Sequence, residues 1–348
     1  MSSFGRILIR APNWVGDVVM ATPAFRCVRE NFPDAHIAIA IRPYVKKIVA
    51  DAPWFDDILP CDDAGGLSSL PAILATAKQL RRERFDVALL LPNSLKTALE
   101  ARLAGVRRRV GYIRDGRTWL LTDAIPRPSR NGKFLPTYMG DYYLRLCEQI
   151  GCAVGDRRPE LFVSEECERR TDDLLRLRGV DLERPIAILN PGASFGPSKC
   201  WASDRFAEVG DRLAEGYGFQ VCVSCSRKEV STAEAICSLM RHQGINLAAG
   251  EPPMELDHLK SLVKRCAILV TLDSGPRHFA VAFNRPAVTI MGPNSPLYTE
   301  TPLERGVVVR VDVDCGPCQE KVCRTDHRCM ERITADMVFD ACRKVLCD

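Results

Sequence analysis

Long hydrophobic runs are missing from this chain of 348 residues. Every apolar stretch falls short of the roughly 20 residues that span a bilayer. The first of them carries Arg10 and runs straight into a strand–helix pattern, so the N-terminus does not read as a signal peptide and a cytoplasmic protein is expected. A strong charge of one sign is missing too. Forty-eight basic residues oppose 44 acidic ones, a net +4, too mild to argue for nucleic acid, though compatible with a polyanionic substrate met at one local patch. Neither the G-x-G-x-x-G fingerprint nor the G-x-x-x-x-G-K-[ST] loop occurs, which disfavours a nicotinamide enzyme and a P-loop NTPase. Low-complexity segments, heptad arrays and short repeats are absent as well.

What is present is a globular balance, 46% apolar and 26% charged, with length for two domains. Short β-like runs alternate with helical patterns. "RILIRAP" reads as a strand, 17–31 as a helix, "HIAIAIRP" (36–43) as a strand, 67–85 as mostly helix and "DVALLLP" (86–92) as a strand covered on both faces. A helix at 95–104 and a strand near 109–113 follow. Residues 114–133 look like loop, a helix spans about 137–151, and a linker follows. The rhythm restarts after a helix near 167–179, with strands at 185–193, 219–226, 267–273 and 287–293. Such a pattern predicts an α/β protein of two doubly wound parallel-sheet domains, which place a ligand cleft at the carboxyl ends of their strands. The expected division is 1–165, 166–332 and a final amphipathic helix, 333–348, free to pack back on the first domain.

Three strand-to-helix junctions carry the chemistry. In "APNWVGDVV", Asp17 opens a helix, where free N–H groups and the dipole keep a carboxylate ionised as a general base requires. Gly16 admits a close approach. An acidic helix cap is the plainer alternative. In "NPGASFGPSKCW", Gly192 and Ser194 belong to a small-residue loop that ends in Lys199 and suits a phosphate, unless it is an ordinary loop with a solvated lysine. In "TLDSGPRHFA", Asp273, Ser274 and Gly275 open another helix, with His278 one turn in. Two anion-type junctions in one half suggest a nucleotide diphosphate. Asp312 and Asp314 in "VDVD" look like a strand face near a loop rather than a metal-binding pair.

Of the sixteen cysteines, most sit singly in apolar patterns (Cys27, Cys147, Cys222, Cys237, Cys266) and read as reduced, buried small hydrophobes. The exception is "CGPCQEKVCRTDHRC", with Cys315, Cys318, Cys323, His327 and Cys329. It admits structural zinc, an iron–sulfur cluster, a redox-labile group or a loop of reduced thiols.

Together, "APNWVGDVVMATPAFR", "LPNSLKTALEARLAGVRRRVGY", "NPGASFGPSKCW", "LDSGPRHFAVAFNRPAVTIMGPNSP" and the C-terminal Cys/His run resemble the bacterial lipopolysaccharide heptosyltransferases of glycosyltransferase family 9, over almost the full chain. The resemblance implies a GT-B architecture, two Rossmann-like domains facing each other across a cleft. It implies inverting, metal-independent transfer of L-glycero-D-manno-heptose from ADP-heptose to a lipid A-linked inner core (heptosyl-Kdo2-lipid A) at the cytoplasmic face of the inner membrane, with no cofactor. It makes Asp17 the base. Ser194, Lys199, Asp273, Ser274, Gly275 and His278 become donor-binding residues, with Met254 near adenine and Glu229 at the ribose. Arg42, Lys96, Arg114 and Arg117 become candidates for the acceptor, within basic and apolar surface on 40–130 that would meet the membrane. Structural zinc at Cys315, Cys318, Cys323 and Cys329 remains a candidate. The pattern departs at "GPRH", where Arg277 is expected to strengthen anion binding or alter sugar choice. A sibling transferase with another donor or acceptor, and a non-catalytic ligand-binding or sensor protein, stand as alternatives.

Overall fold

The computed structural model describes residues 4–61 and 70–347. The chain divides into two compact units, Met1–Phe162 and Val163–Asp348.

In the first unit, β1 (Arg6–Arg10), β2 (His36–Ile41), β3 (Asp57–Pro60), β4 (Val87–Leu90), β5 (Arg108–Tyr112) and β6 (Asp123–Ile125) form a parallel sheet in the order β3-β2-β1-β4-β5-β6. The strand order reverses between the parallel neighbours β1 and β4, where Ile7 lies beside Val87. All four residues of β4 are buried, as a strand covered by helices on both faces must be. The helices are α1 (Val15–Met20), α2 (Thr22–Asn31), α3 (Pro43–Val49), α4 (Leu70–Arg82), α5 (Leu95–Leu103) and α6 (Met139–Gln149), and β7 (Ser129–Arg130) pairs antiparallel with β8 (Lys133–Phe134).

The helix expected over 17–31 is two. Ala21 caps α1, and Pro23, which has no N–H to continue the first ladder, sits in the opening turn of α2. The helix read from residue 67 is described from Leu70 onward, and residues 67–69 lie outside the described residues. Within the stretch read as loop, β6 continues the sheet. It is only three residues long, and Arg108 of β5 holds it by donating to Asp123 at 2.8 Å.

The second unit repeats the plan. Its opening helix is α7 (Glu165–Leu177). Its parallel sheet runs β11-β10-β9-β12-β13-β14, from β9 (Ile186–Asn190), β10 (Gln220–Val223), β11 (Gly244–Asn246), β12 (Ile268–Leu272), β13 (Ala287–Ile290) and β14 (Gly306–Val309). Helices α8 (Ser203–Tyr217), α9 (Val230–Leu239), α10 (Leu256–Arg265), α11 (Gly275–Ala282), α12 (Arg328–Glu331) and α13 (Ala335–Cys347) flank it. The switch point falls between β9 and β12. The buried side chains of α13 (Ala335, Val338, Ala341, Cys342 and Val345) lie in the core of this unit with Phe206, Leu213 and Ile290. The final helix read over 333–348 thus buries its apolar face in the core of the second unit. Val311–Asp314 is not a strand, because β14 ends at Val309; Asp312 pairs with Arg310 at 2.8 Å and Asp314 with Arg328 at 3.0 Å.

Among the described residues no helix is long and apolar enough to cross a membrane. The cysteines are free thiols, and Cys222 and Cys266 are buried ones whose pKa burial pushes up to about 12. Cys27 and Cys147 are not isolated as the pattern suggested: both side chains are buried, and Cys27 meets Cys147 and Cys152.

Candidate functional site

In an open parallel sheet, the backbone groups at the carboxyl ends of the strands next to the switch point lack neighbours, and ligands take their place. In the second unit those ends are Asn190 of β9 and Leu272-Asp273 after β12. Asn190 donates to the Ser224 carbonyl beyond β10, and its Oδ1 faces Thr271 at 3.3 Å and Ser274 at 3.4 Å. One amide thus ties three strand ends together.

Asp273 is the hub. Its carboxylate accepts from Lys199 Nζ at 2.9 Å, Asn294 Nδ2 at 2.8 Å, Arg277 Nη1 at 3.2 Å and Thr299 Oγ1 at 3.3 Å. Burial alone would raise its pKa, but Lys199 and Arg277 reverse that and hold it down to about 2. Lys199 also donates to the Asp273 carbonyl and lies 5.0 Å from the centre of the Phe195 ring. An ammonium has three donors. Two go to Asp273, which aims the residue.

Arg277 does not act as expected. It is fully buried, and its guanidinium is spent on Glu304, with Nη2 at 2.6 Å and Nε at 2.9 Å, and on Asp273 and Thr299. The added charge completes an internal pair instead of strengthening an anion site. His278 is also buried. Burial first, then the charge of Arg277, lowers its pKa to about 3, so the ring is uncharged at neutral pH and keeps a single N–H.

The loop after β9 approaches from the other side. Ser194 is exposed. Gly192 does make a close approach, but to the protein itself: a Cβ there would lie 2.8 Å from Glu229 Oε2. Glu229 accepts from the Ala193 N–H at 2.9 Å and from Ser226 Oγ at 2.5 Å. It therefore fixes the Gly192–Ala193 turn, and the chain shows it holding the loop. Met254 is half-buried with its sulfur 3.6 Å from Ser224 Oγ, at the end of β10. Ser274 caps α11, and Gly275 is its first residue.

In the first unit the switch point lies between the ends of β1 and β4. After β1, Trp14 caps α1 and Asp17 sits in its first turn, half-buried, beside Gly16. Tyr143 of α6 donates to Asp17 Oδ1 at 3.3 Å. Burial, then the Asp17 charge, raises the Tyr143 pKa well above 10, so it remains a donor. Below the loop, Arg10 is buried; its Nη1 donates to the Ala11 carbonyl at 3.3 Å and the Ala40 carbonyl at 3.2 Å, and its Nε lies 3.9 Å from Glu100. Beyond β4, Asn93 Oδ1 accepts from Arg117 at 3.3 Å and Tyr142 at 3.2 Å.

The four acceptor candidates do not behave alike. Arg117 is fully buried and donates to the Tyr112 carbonyl at 3.1 Å, the Pro92 carbonyl and Asn93. Burial pulls its pKa to about 10. It pins the 112–117 loop to the end of β4, so its assignment to the acceptor is corrected to a structural one. Lys96 leans on Glu100 at 3.9 Å, Arg42 caps α3, and Arg114 is exposed beside Asp115.

Cys315, Cys318, Cys323 and Cys329 are among the residues that line one cavity of ≈ 200 Å³. A different group, His36, Asp57 and Glu83, brings three ligand atoms within 4.8 Å of one another. It is accounted for by ion pairs: His36 with Asp57 at 2.9 Å, and Arg6 with Glu83 at 2.6 Å.

Asn190, Asn294, Thr299, Glu304, Asn93 and Tyr143 were missed in the sequence. Asn190 carried one signal, as the polar end of an otherwise apolar strand. The others reach the sites from elements distant in sequence.

The model for glycosyltransferase family 9 (heptosyltransferase) matches residues 73–328. Lipopolysaccharide heptosyltransferase 2 of Escherichia coli strain K12 is 29% identical over 316 residues, 88% of each chain. The solved structure of E. coli ADP-heptose LPS heptosyltransferase II superposes with a TM-score of 0.79 at 28% identity, covering 98% of both chains. A glycosyl transferase family 9 structure from Veillonella parvula DSM 2008 gives a TM-score of 0.83 at 20% identity, over 99% of this chain and 97% of that one, and shows the shared fold.

Proposed function

The chain belongs to glycosyltransferase family 9, the heptosyltransferases, and on that premise we propose that it transfers L-glycero-D-manno-heptose from ADP-heptose to a heptosyl-Kdo2-lipid A inner core, as heptosyltransferase II does. The Asp273–Lys199–Arg277 network at the second switch point carries the reading. With Glu304, which pairs Arg277, it is a balanced, buried charge cluster that holds one ammonium in a fixed direction. Such preorganised charge stabilises a leaving diphosphate at no reorganisation cost.

In this mechanism the second unit holds the donor. Lys199 and the amino end of α11, at Ser274 and Gly275, face the diphosphate; Ser194 adds a hydroxyl, and Met254 packs near the adenine. Glu229 keeps the ribose side of the loop in place. The first unit supplies the base. Asp17, oriented by Tyr143, takes the proton from an acceptor hydroxyl as its oxygen attacks the anomeric carbon. The bond to the β-phosphate oxygen breaks on the opposite face, and the configuration inverts. His278, neutral, shapes the pocket. Charge on the departing ADP is met by protein groups, so transfer requires no metal, and the thiols of 315–329 belong to structure. Arg42, Lys96 and Arg114 remain for the phosphorylated acceptor.

The acceptor is lipid-anchored, which calls for an encounter at the cytoplasmic face of the inner membrane. Exposed Ile113, Trp119 (74% accessible), Phe134 and Leu135 lie in the first unit along with the cations Arg114 and Arg127, a mixture suited to an anionic interface.

Purified protein with a lipid A-linked acceptor and a panel of ADP-, GDP- and UDP-sugars tests the donor. Turnover confined to ADP-heptose is expected, and efficient use of a GDP- or UDP-sugar would replace the assignment. Asp17→Asn should slow transfer by about 10²–10⁴-fold while ADP still binds. Near-normal turnover in that variant would remove Asp17 as the base.

A further inference from the structure

We propose that Trp14 and Tyr44 form an aromatic platform on which a sugar ring of the acceptor stacks, holding its hydroxyl at Asp17. The inference rests on the glycosyl-transfer reading and deepens it, by naming the part of the acceptor that the first unit grips.

Three observations carry this. First, Trp14 is a tryptophan that the fold does not use. The chain has four. Trp54 and Trp201 are buried; Trp54 packs edge-on against Phe55 and Phe162, and Trp201 donates its ring N–H to the Ile333 carbonyl at 2.9 Å. Trp119 lies in the apolar and basic surface suited to a membrane. Trp14 is 53% exposed, and among the described residues its ring makes no aromatic or cation–π pair and its ring N–H no hydrogen bond. A single exposed apolar side chain means little by itself; its position gives this one meaning.

Second, Trp14 and Tyr44 rise from the carboxyl ends of neighbouring parallel strands. Arg10, the last residue of β1, lies beside Ala40 of β2, and the Ala11 N–H donates to the Ala40 carbonyl at 3.0 Å. Trp14 stands just beyond β1 and Tyr44 just beyond β2. Both are therefore at the sheet end where an open parallel sheet takes its ligand, and Asp17 follows Trp14 in the first turn of α1. Tyr44 is 47% exposed, and its hydroxyl donates to the Asn13 carbonyl. That bond ties α3 to the loop before α1 and sets the tyrosine ring beside the peptide that carries Trp14.

Third, the chemistry fits a sugar. A pyranose chair carries hydroxyls around its rim and axial C–H bonds on its faces. Those faces pack on a flat indole or phenol while the rim stays free to hydrogen-bond. Trp and Tyr offer this area with only two side-chain torsions to freeze. A general base acts only on an oxygen within hydrogen-bond reach, so a surface that fixes the plane of the ring beside Asp17 supplies the orientation the transfer needs. Arg42, which caps α3 two residues before Tyr44, adds a cation for an anionic group on the same acceptor.

The test is steady-state transfer from ADP-heptose to a deacylated, water-soluble inner-core oligosaccharide by the full chain and its variants. Trp14→Leu keeps apolar bulk and loses the flat face, and should raise the acceptor KM about tenfold, with the loss in KM rather than in kcat or in ADP affinity. Trp14→Phe should recover most of it, to within about threefold of wild type, and Tyr44→Ala should resemble Trp14→Leu. The Trp14 fluorescence, taken as wild type minus Trp14→Phe, should shift on titration with the oligosaccharide alone. Unchanged acceptor KM in Trp14→Leu overturns the platform. A loss confined to kcat that Phe does not rescue also overturns it, because Trp14 then only supports α1. A loss seen with lipid-embedded acceptor but not with the soluble one overturns it in favour of membrane insertion, and weakened ADP binding overturns it in favour of the donor. Failure of wild type to use ADP-heptose refutes the heptosyl reading instead. The fluorescence titration needs no donor, so it reads the platform in either case.

Discussion

Replacing Asp273 by Asn removes one negative charge from between two buried cations and leaves the side-chain shape nearly unchanged. The carboxyl is held at about 2 against 3.8 in the unfolded chain. At 1.36 kcal/mol per unit that is roughly 2 kcal/mol favouring the ionised folded state, already net of the burial that opposes it. Breaking a buried pair by removing one partner costs about 3–5 kcal/mol, because Lys199 and Arg277 stay behind facing an amide. The variant should therefore unfold about 2–5 kcal/mol more easily, lowering the melting temperature of the second unit by roughly 5–20 °C. A depressed carboxyl contributes fully above its unfolded value and loses that contribution as pH falls through its folded one. The gap between wild type and variant should thus be constant from pH 8 to 5 and narrow only below about 4. Calorimetry and urea titration, followed through Trp201 in the core of the second unit, measure it. Lys199→Met should cost less when combined with Asp273→Asn than in wild type, because the two residues act as a pair. A loss under about 0.5 kcal/mol at pH 7, or strictly additive double-variant energies, would refute the idea that this network is held together by charge.

Further expectations follow from single contacts. Tyr143→Phe removes the hydroxyl that donates to Asp17 and should lower kcat by up to about tenfold, on the scale of one hydrogen bond, with ADP affinity unchanged by calorimetry. Arg117→Met leaves the carbonyls of Pro92 and Tyr112 unpartnered. It should destabilise the first unit by about 3 kcal/mol in urea titrations without a selective rise in acceptor KM. His278 titrates near 3 folded against 6.5 unfolded. Its contribution to stability is complete above pH 6.5 and drains away as pH falls toward 3, on the order of 5 kcal/mol at 1.36 per unit; His278→Gln should flatten that part of the pH–stability curve.

The alternation of short, mostly apolar strands with amphipathic helices was enough to announce two doubly wound sheets, because a strand covered on both faces is buried throughout, as β4 and β12 are. The junction residues were legible for a related reason. A strand that hands over to a helix exposes unpaired N–H groups, and Asp17, Lys199 and Asp273 stand at those points. Edge strands were harder to read. β6 and β11 are three residues each, too short to show a period, and they exist because a neighbouring strand offers its hydrogen bonds.

Residue type and position along the chain therefore determined the fold class, the anion-type turns and the candidate base. Tertiary structure decided the use of each charge. Arg277 and Arg117 look in sequence like residues for anions, yet both are buried and consumed by the protein itself, by Glu304 in one case and by loop carbonyls in the other. Lys199 is held differently, with both of its hydrogen bonds going to Asp273. A charge's partners come from strands and loops tens of residues away, and its desolvation depends on everything packed above it. Neither quantity exists until the chain has folded.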